Sequence, residues 1–169
     1  MTDSSLRTRT LARWAEHNPD LDTSPMEVVA QVKRIAALLE LAAENVYTGA
    51  ALTAAEMELL VPLRYAETSV TAIRLAELLG MSRAGVSKTL AKLQTRGMIS
   101  RTPNPDDRRS ALITLSNKGI HAVDDMFPRE LEAHGALLAG LGRQRQNVLD
   151  ALSQLAQTME SQLQRSRGD

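Results

Sequence analysis

Residues 71–97 read TAIRLAELLGMSRAGVSKTLAKLQTRG, and this stretch decides the fold. It contains two short amphipathic segments. Each opens on a hydroxyl residue, Thr71 or Ser82, whose oxygen can accept from the free N–H groups of a first helical turn. Each ends on a glycine, Gly80 or Gly97. Leu75 and Leu79 of the first segment can pack on Val86, Leu90 and Leu93 of the second, with Ala76 small where the two helices cross. Gly80 can adopt the left-handed conformation that a tight turn needs. A small residue, then a turn glycine, then an aliphatic plug at Val86 is the spacing of a helix-turn-helix. A larger side chain at 76 would push the helices apart.

The outward residues of the second helix are Ser82, Arg83, Gly85, Ser87, Lys88, Thr89 and Lys92. These hydroxyls and cations, with a small glycine among them, are what a recognition helix offers to base edges and phosphates in the major groove. The pattern by itself also fits an ordinary αα-hairpin with a solvated face. The next residues separate the two. Met98–Thr102 (MISRT) and Ala111–Leu115 (ALITL) have strand character, and the loop between them is PNPDDRRS. That predicts a hairpin with a long charged tip. A helix-turn-helix followed at once by an Arg-tipped hairpin is a winged helix, with Arg108 and Arg109 placed to reach an adjacent minor groove. Asp106 or Asp107 can hold an arginine in one orientation before DNA arrives.

Working outward, Leu6–His17 suits a short helix, and Ser24-Pro25-Met26-Glu27 suits a helix start, with Ser24 as cap and Glu27 closing a capping box. Val28, Val32, Ile35, Leu39, Ala42 and Val46 then form an apolar stripe ending near Gly49. Thr53 and Glu56 form a second capping box, on a helix that Pro62 should kink or shorten. Ser116 can cap a helix through Val123 and Phe127 with a bend at Pro128. Beyond Gly140-Leu141-Gly142, a last helix carries Val148, Leu152, Leu155, Met159 and Leu163. The architecture expected is mostly α with a small β-hairpin wing: a winged helix-turn-helix whose terminal helices form a dimerisation region.

Composition agrees. Among 169 residues, 43% are hydrophobic and only 2% aromatic, which favours helices packed on helices over a β-sandwich. No apolar run approaches the roughly 20 residues of a membrane span, so no membrane partner is expected. The polar N-terminus does not resemble a secretory signal, and the cytoplasm is the expected compartment. With no cysteine, thiolate metal sites, disulfides and thiol switches are excluded. His17, His121 and His134 lack metal-ligand spacing, no Gly-rich phosphate loop is present, and no carboxylates pair for acid–base work. No metal, cofactor or catalytic residue is therefore expected, and the chain does not read as an enzyme. The 20 basic and 20 acidic residues balance overall but not locally. Nine basic residues against three acidic ones lie between Val70 and Lys118, leaving 11 basic and 17 acidic elsewhere. A basic middle between acidic flanks points to a polyanionic partner.

From Leu52 to Gly119 the sequence resembles the MarR family of bacterial transcription regulators. The resemblance is carried by LTAAEMELL, the helix-turn-helix and RGMISRTPNPDDRRSALITLSNKG. Its most specific part is Asp107-Arg108-Arg109 followed by Leu115-Ser116-Asn117-Lys118-Gly119, against a family pattern of Asp-x-Arg and then Leu-Thr-x-x-Gly. With the flanking helices it covers nearly the whole chain. It implies a homodimer built from the terminal helices and a pseudo-palindromic double-stranded operator. It also implies a division into N-terminal helices (1–50), a DNA-binding lobe (51–117) and C-terminal dimerisation helices (118–169). Trp14 on an extra N-terminal helix, followed by NPDLDTSPMEV, is similar to the urate-responsive PecS and UrtR branch. That branch implies a pocket for a small anion, onto which Trp14, Glu58 and Arg101 map, Glu58 standing where an Asp is usual. Its other arginine falls at Thr89, which removes one charge partner for an anion. The function expected is a dimeric DNA-binding regulator, a repressor released by a small anionic or aromatic effector. The alternative is a winged-helix protein-interaction module that does not bind DNA; it requires an apolar or acidic patch where the cations lie.

Overall fold

The structure, a computed structural model, describes residues 6–107 and 109–166, with Arg7 described by its backbone alone. The chain divides into a first unit ending at His134 and a second beginning at Gly135. In the first unit, α1 (Leu6–His17) and α2 (Pro25–Tyr47) precede α3 (Ala54–Leu60), which tightens into a 3-10 turn at Val61–Leu63. Then come β1 (Val70–Thr71), α4 (Ala72–Leu78), α5 (Arg83–Thr95), β2 (Ile99–Pro103), β3 (Ala111–Leu115) and the start of α6 (Asn117–Leu138). The second unit holds the end of α6, a 3-10 stretch (Ala139–Gln144) and α7 (Arg145–Arg165). No helix among the described residues is long and apolar enough to cross a membrane.

Side-chain caps start the helices of the first unit where hydroxyls stand. Thr53 Oγ1 accepts the Glu56 N–H at 3.3 Å while Glu56 accepts the Thr53 N–H at 2.9 Å, the expected reciprocal box. Thr71 accepts from the Arg74 amide, Ser82 from Gly85 and Ser116 from Gly119. Ser24 is the correction. Its side chain makes no cap, and its own backbone is helical at φ −56, ψ −34. The Asp22 carboxylate accepts the Ser24 N–H at 3.0 Å in an Asx turn, and the first-turn amides of Met26 and Glu27 are met by the Thr23 and Ser24 carbonyls. Pro62 ends α3 as expected. Pro128 does not interrupt α6, which runs on to Leu138.

The wing pairs Ile99 with Leu115 through to Pro103 with Ala111. Its sheet has a third member, β1, on the other edge of β3, with Val70 opposite Ile113 and Thr71 opposite Leu112. Sequence alternation could not reveal a strand of two residues. The core lies under the helix-turn-helix: Leu59, Leu60, Val86, Leu90 and Leu93 are all at 0% exposure, and Leu75, Ile113 and Val123 are nearly so. The terminal stripes are different. Val28, Val32 and Ile35 of α2 remain exposed, and α7 has no buried residue, with Leu152, Met159 and Leu163 open.

The start of α6 is fastened to the end of α5. Ser116 donates its N–H to the Met98 carbonyl at 3.0 Å and its hydroxyl to the Gly97 carbonyl at 2.6 Å. One turn later Gly119 is buried so closely that a Cβ would lie 2.1 Å from the Met98 oxygen. Gly119→Ala must therefore move backbone against backbone. It should cost about 1–3 kcal/mol, an overpacking penalty, read as a lower urea midpoint at unchanged slope. Wild-type stability in this variant would show that the junction is loose.

Candidate nucleic-acid interface

The turn between α4 and α5 closes through the Met81 N–H, which donates to the Ala76 carbonyl at 2.9 Å, with Gly80 at φ +64. Ala76 is buried at the crossing, and Val86, Leu90 and Leu93 anchor α5 to the core. This fixes which face of α5 is outward. Ser82, Arg83, Gly85, Ser87, Lys88 and Lys92 are exposed, whereas Thr89 is half-buried. Gly85 has a local reason to be small: a Cβ there would lie 2.9 Å from the Ser82 Oγ that caps the helix.

The basic segment sorts into committed and uncommitted cations. Arg83 lies 3.2 Å from the Glu77 carboxylate, which Arg74 also approaches at 3.7 Å. Arg96 is 2.6 Å from buried Glu56 and also donates to the Ala51 carbonyl. Lys118 donates to the Arg96 carbonyl at 3.1 Å. Among the described residues, Lys88 and Lys92, one helical turn apart, make no hydrogen bond or ion pair. The Arg109 guanidinium likewise has no such partner among the described residues.

The wing tip is ordered by side chain-to-backbone bonds. The Asn104 N–H donates to the Ser110 carbonyl, and the Asp106 N–H to Asn104 Oδ1. Asp107 Oδ1 accepts the Arg109 backbone N–H at 3.0 Å. The expected acidic neighbour thus acts on Arg109 through the main chain and leaves its guanidinium uncommitted. Arg108 lies outside the described residues.

The three effector candidates do not meet in one cavity. Arg101, on β2, lines a cleft of about 550 Å³ together with Thr71, Thr102, Arg109 and Ser110. Its Nε and Nη2 are buried and have no hydrogen-bond partner among the described residues. Glu58 lines a separate cleft between α2, α3 and α6. Trp14, on α1, is 49% exposed and lines neither cleft.

The family model described as MarR family matches residues 52–110, the span from the start of α3 to the wing tip. The chain is 26% identical to the HTH-type transcriptional regulator PecS of Dickeya dadantii (strain 3937) over 142 residues, 83% of this chain and 86% of that one. Over the DNA-binding lobe the chain matches the MarR family. It is a DNA-binding transcriptional regulator, and regulators of this family are not enzymes. Two solved structures share the MarR fold with it. One is a mutant of Escherichia coli MarR complexed with operator DNA, at 20% identity and TM-score 0.70, covering 81% of this chain and 98% of that one. The other is BpsR of Bordetella bronchiseptica, at 22% identity and TM-score 0.70, covering 76% of this chain and 92% of that one.

Two features of the MarR lobe had no signal in sequence. Glu77 lies on the helix before the recognition helix, and nothing in its spacing marks it as a partner of Arg83. Glu56 and Arg96 are 40 residues apart, and Glu56 reads as a capping residue only. Burial would raise the Glu56 pKa, but the Thr53 N–H and Arg96 together outweigh it and hold the carboxyl below its ordinary value near 4.5. A depressed carboxylate contributes stability that is complete above the ordinary value and lost as pH falls through the lowered one. Glu56→Gln keeps the capping shape and removes the charge. It should destabilise the MarR lobe by about 1–3 kcal/mol at pH 7, the worth of a hydrogen bond to a charged group. The gap from wild type in urea melts should close as pH drops below 4.5. A gap that does not depend on pH would mean the charge is idle.

Proposed function

We propose that this MarR-family protein is a dimeric repressor. In this reading α5 enters the major groove through Ser82, Arg83, Gly85, Ser87, Lys88, Thr89 and Lys92. The wing tip, with Asp107, Arg108 and Arg109, reaches the neighbouring minor groove. The observation that carries it is the sorting of charge: among the described residues Lys88, Lys92 and Arg109 are uncommitted on the outward elements, while Arg96 and Lys118 are held in contacts within the lobe. Counterion release from phosphates rewards cations that are free to move onto DNA. A protein-interaction module would carry an apolar or acidic patch on this face, and α5 has none among its outward side chains. The solved E. coli MarR complex with operator DNA supports the same use of the fold.

Binding to the DNA upstream of its own gene, measured at two salt concentrations, tests this. Arg109→Ala should weaken operator binding by about 1–3 kcal/mol and relax sequence preference. Lys92→Ala should weaken all DNA alike and lower the salt slope by about 1. Operator affinity unchanged in the Arg109 variant would remove the wing from the mechanism.

The uncovered stripes of α2 and α7 support a second copy of the chain as partner, with residues 1–50 and 118–169 supplying the dimer contacts and 51–117 the DNA-binding lobe. Two recognition helices related by a two-fold axis would read a pseudo-palindrome with half-sites about one turn, ~10 bp, apart. Light scattering at micromolar concentration should give twice the chain mass; a monomer would refute the assignment.

For the effector, Arg101 is the strongest of the three candidates. Two buried guanidinium nitrogens without partners among the described residues, beside hydroxyls and Arg109, favour a small organic acid at Arg101, while Trp14 and Glu58 lie outside that cleft. In BpsR, 6-hydroxynicotinic acid regulates DNA binding, and the same logic of release is proposed here. The effector would need to favour the non-binding arrangement by only a few kcal/mol.

A further inference from the structure

Glu77 is the single acidic residue between Thr71 and Gly97, a stretch that carries five basic ones. It stands on α4, and its carboxylate reaches across the turn to α5. One oxygen accepts from the Arg83 guanidinium at 3.2 Å, and the other lies 3.7 Å from that of Arg74. Arg83 is the first residue of α5, next to the Ser82 cap. A cation at that end of a helix is disfavoured by the free N–H groups there, and a nearby carboxylate offsets the cost. The side chains are open to solvent, with Glu77 48% exposed and Arg83 69%. An exposed pair of this kind is worth little to the fold. Its position, at the first turn of the recognition helix, gives it a different use.

Lys88 and Lys92 have no partner among the described residues, but Arg83 approaches DNA with a counter-charge already beside it. Two kinds of DNA contact then diverge. A phosphate brings negative charge towards Glu77, so Arg83 either leaves the carboxylate or holds two anions against their mutual repulsion. A base edge is neutral. The guanidinium carries five N–H donors in a planar fork, and Glu77 occupies Nη2. The other donors can reach a base acceptor while the carboxylate stays. Glu77 therefore weakens Arg83 as a phosphate contact and spares it as a base contact. We propose that Glu77 is a specificity-determining positioning residue, holding Arg83 off the phosphate backbone and aiming it at base edges. This rests on the reading that α5 enters the major groove, and adds to it a residue that acts on DNA only through another.

Two duplexes test the proposal: the one that the wild-type full chain enriches from a random-sequence pool, and a shuffled duplex of the same composition. Glu77→Gln keeps the shape, removes the charge and should leave the urea midpoint nearly unchanged. It should tighten binding to the shuffled duplex by about two- to fivefold, the range of an exposed ion pair, and steepen the salt slope there by about one as Arg83 takes a phosphate. Binding to the enriched duplex should not tighten, so the ratio of the two affinities falls by the same factor. In an Arg83→Gln background, Glu77→Gln should no longer move that ratio, because the residue it acts through is gone. The proposal is overturned by an unchanged ratio in Glu77→Gln, or by an equal fall in the Arg83→Gln background, where Glu77 would act as bulk charge. An unchanged ratio alongside weakened binding by Arg83→Gln overturns this inference and leaves the α5 reading in place. Wild-type binding of both duplexes by Arg83→Gln, or failure to enrich any duplex, overturns this inference and counts against that reading as well.

Discussion

The junction between Gly97-Met98 and Ser116–Gly119 is the constraint on which the lobe depends. Ser116 holds two consecutive carbonyls there, one with its N–H and one with its hydroxyl, and Gly119 gives α6 room to lie against the Met98 oxygen. Lys118 adds a bond to the Arg96 carbonyl just before them. The consequences are geometric. The end of α5, the start of β2 and the return from β3 into α6 are all fixed at one point, so the wing leaves the recognition helix at a set place. The core then fills beneath it, with Leu90, Leu93, Met98 and Ile99 buried on either side of the turn. A residue with a side chain at 119 would disturb the helix, the wing and the connection to α6 together.

Electrostatics is arranged in the same economical way. A count of cations between Val70 and Lys118 treats all nine as alike, and the structure shows that they are not. Arg96 spans from Glu56 to Ala51 and ties the end of α5 to the front of α3. Arg74 and Arg83 share Glu77 at the exposed surface, where such pairs are worth little and a phosphate can displace the carboxylate. Lys88, Lys92 and Arg109 are left without commitments among the described residues. The same segment therefore contributes structural charge, exchangeable charge and free charge.

Much of this was legible in the residues because the determinants were local. The Thr53–Glu56 box, the Thr71 and Ser82 caps and the Ala76, Gly80, Val86 spacing each rest on groups within a few positions of one another. β3 falls on Ala111–Leu115 as its alternation indicates. Legibility failed where two acceptors competed or where partners were distant. Ser24 looked like a cap, but Asp22 reached its amide first. β1 exists only because β3 is there to pair with it. Arg101, Glu58 and Trp14 were grouped by resemblance, yet Arg101 and Glu58 face different clefts. Residue type could suggest that each binds something; only the fold could show that the two clefts differ in charge.

That difference bears on how a regulator of this build can be switched. The recognition helix is held by side chains at 0% exposure, its N-terminus is capped, and just past its C-terminus the Arg96 and Gly97 carbonyls accept from Lys118 and Ser116. A close-packed core of this kind resists gradual deformation. A ligand of modest affinity is therefore poorly placed to unwind α5 or shift it within the lobe. It can act more cheaply on the placement of the whole lobe, by binding better to one arrangement than to another. The clefts stand where that leverage is available. One borders the wing root and the start of α4; the other is walled by α2 and α6, which are long helices with uncovered apolar positions such as Val32 and Leu131. A rigid reading head localises control to its attachments, and a ligand in either cleft would touch them without disturbing the side chains proposed to meet DNA on α5.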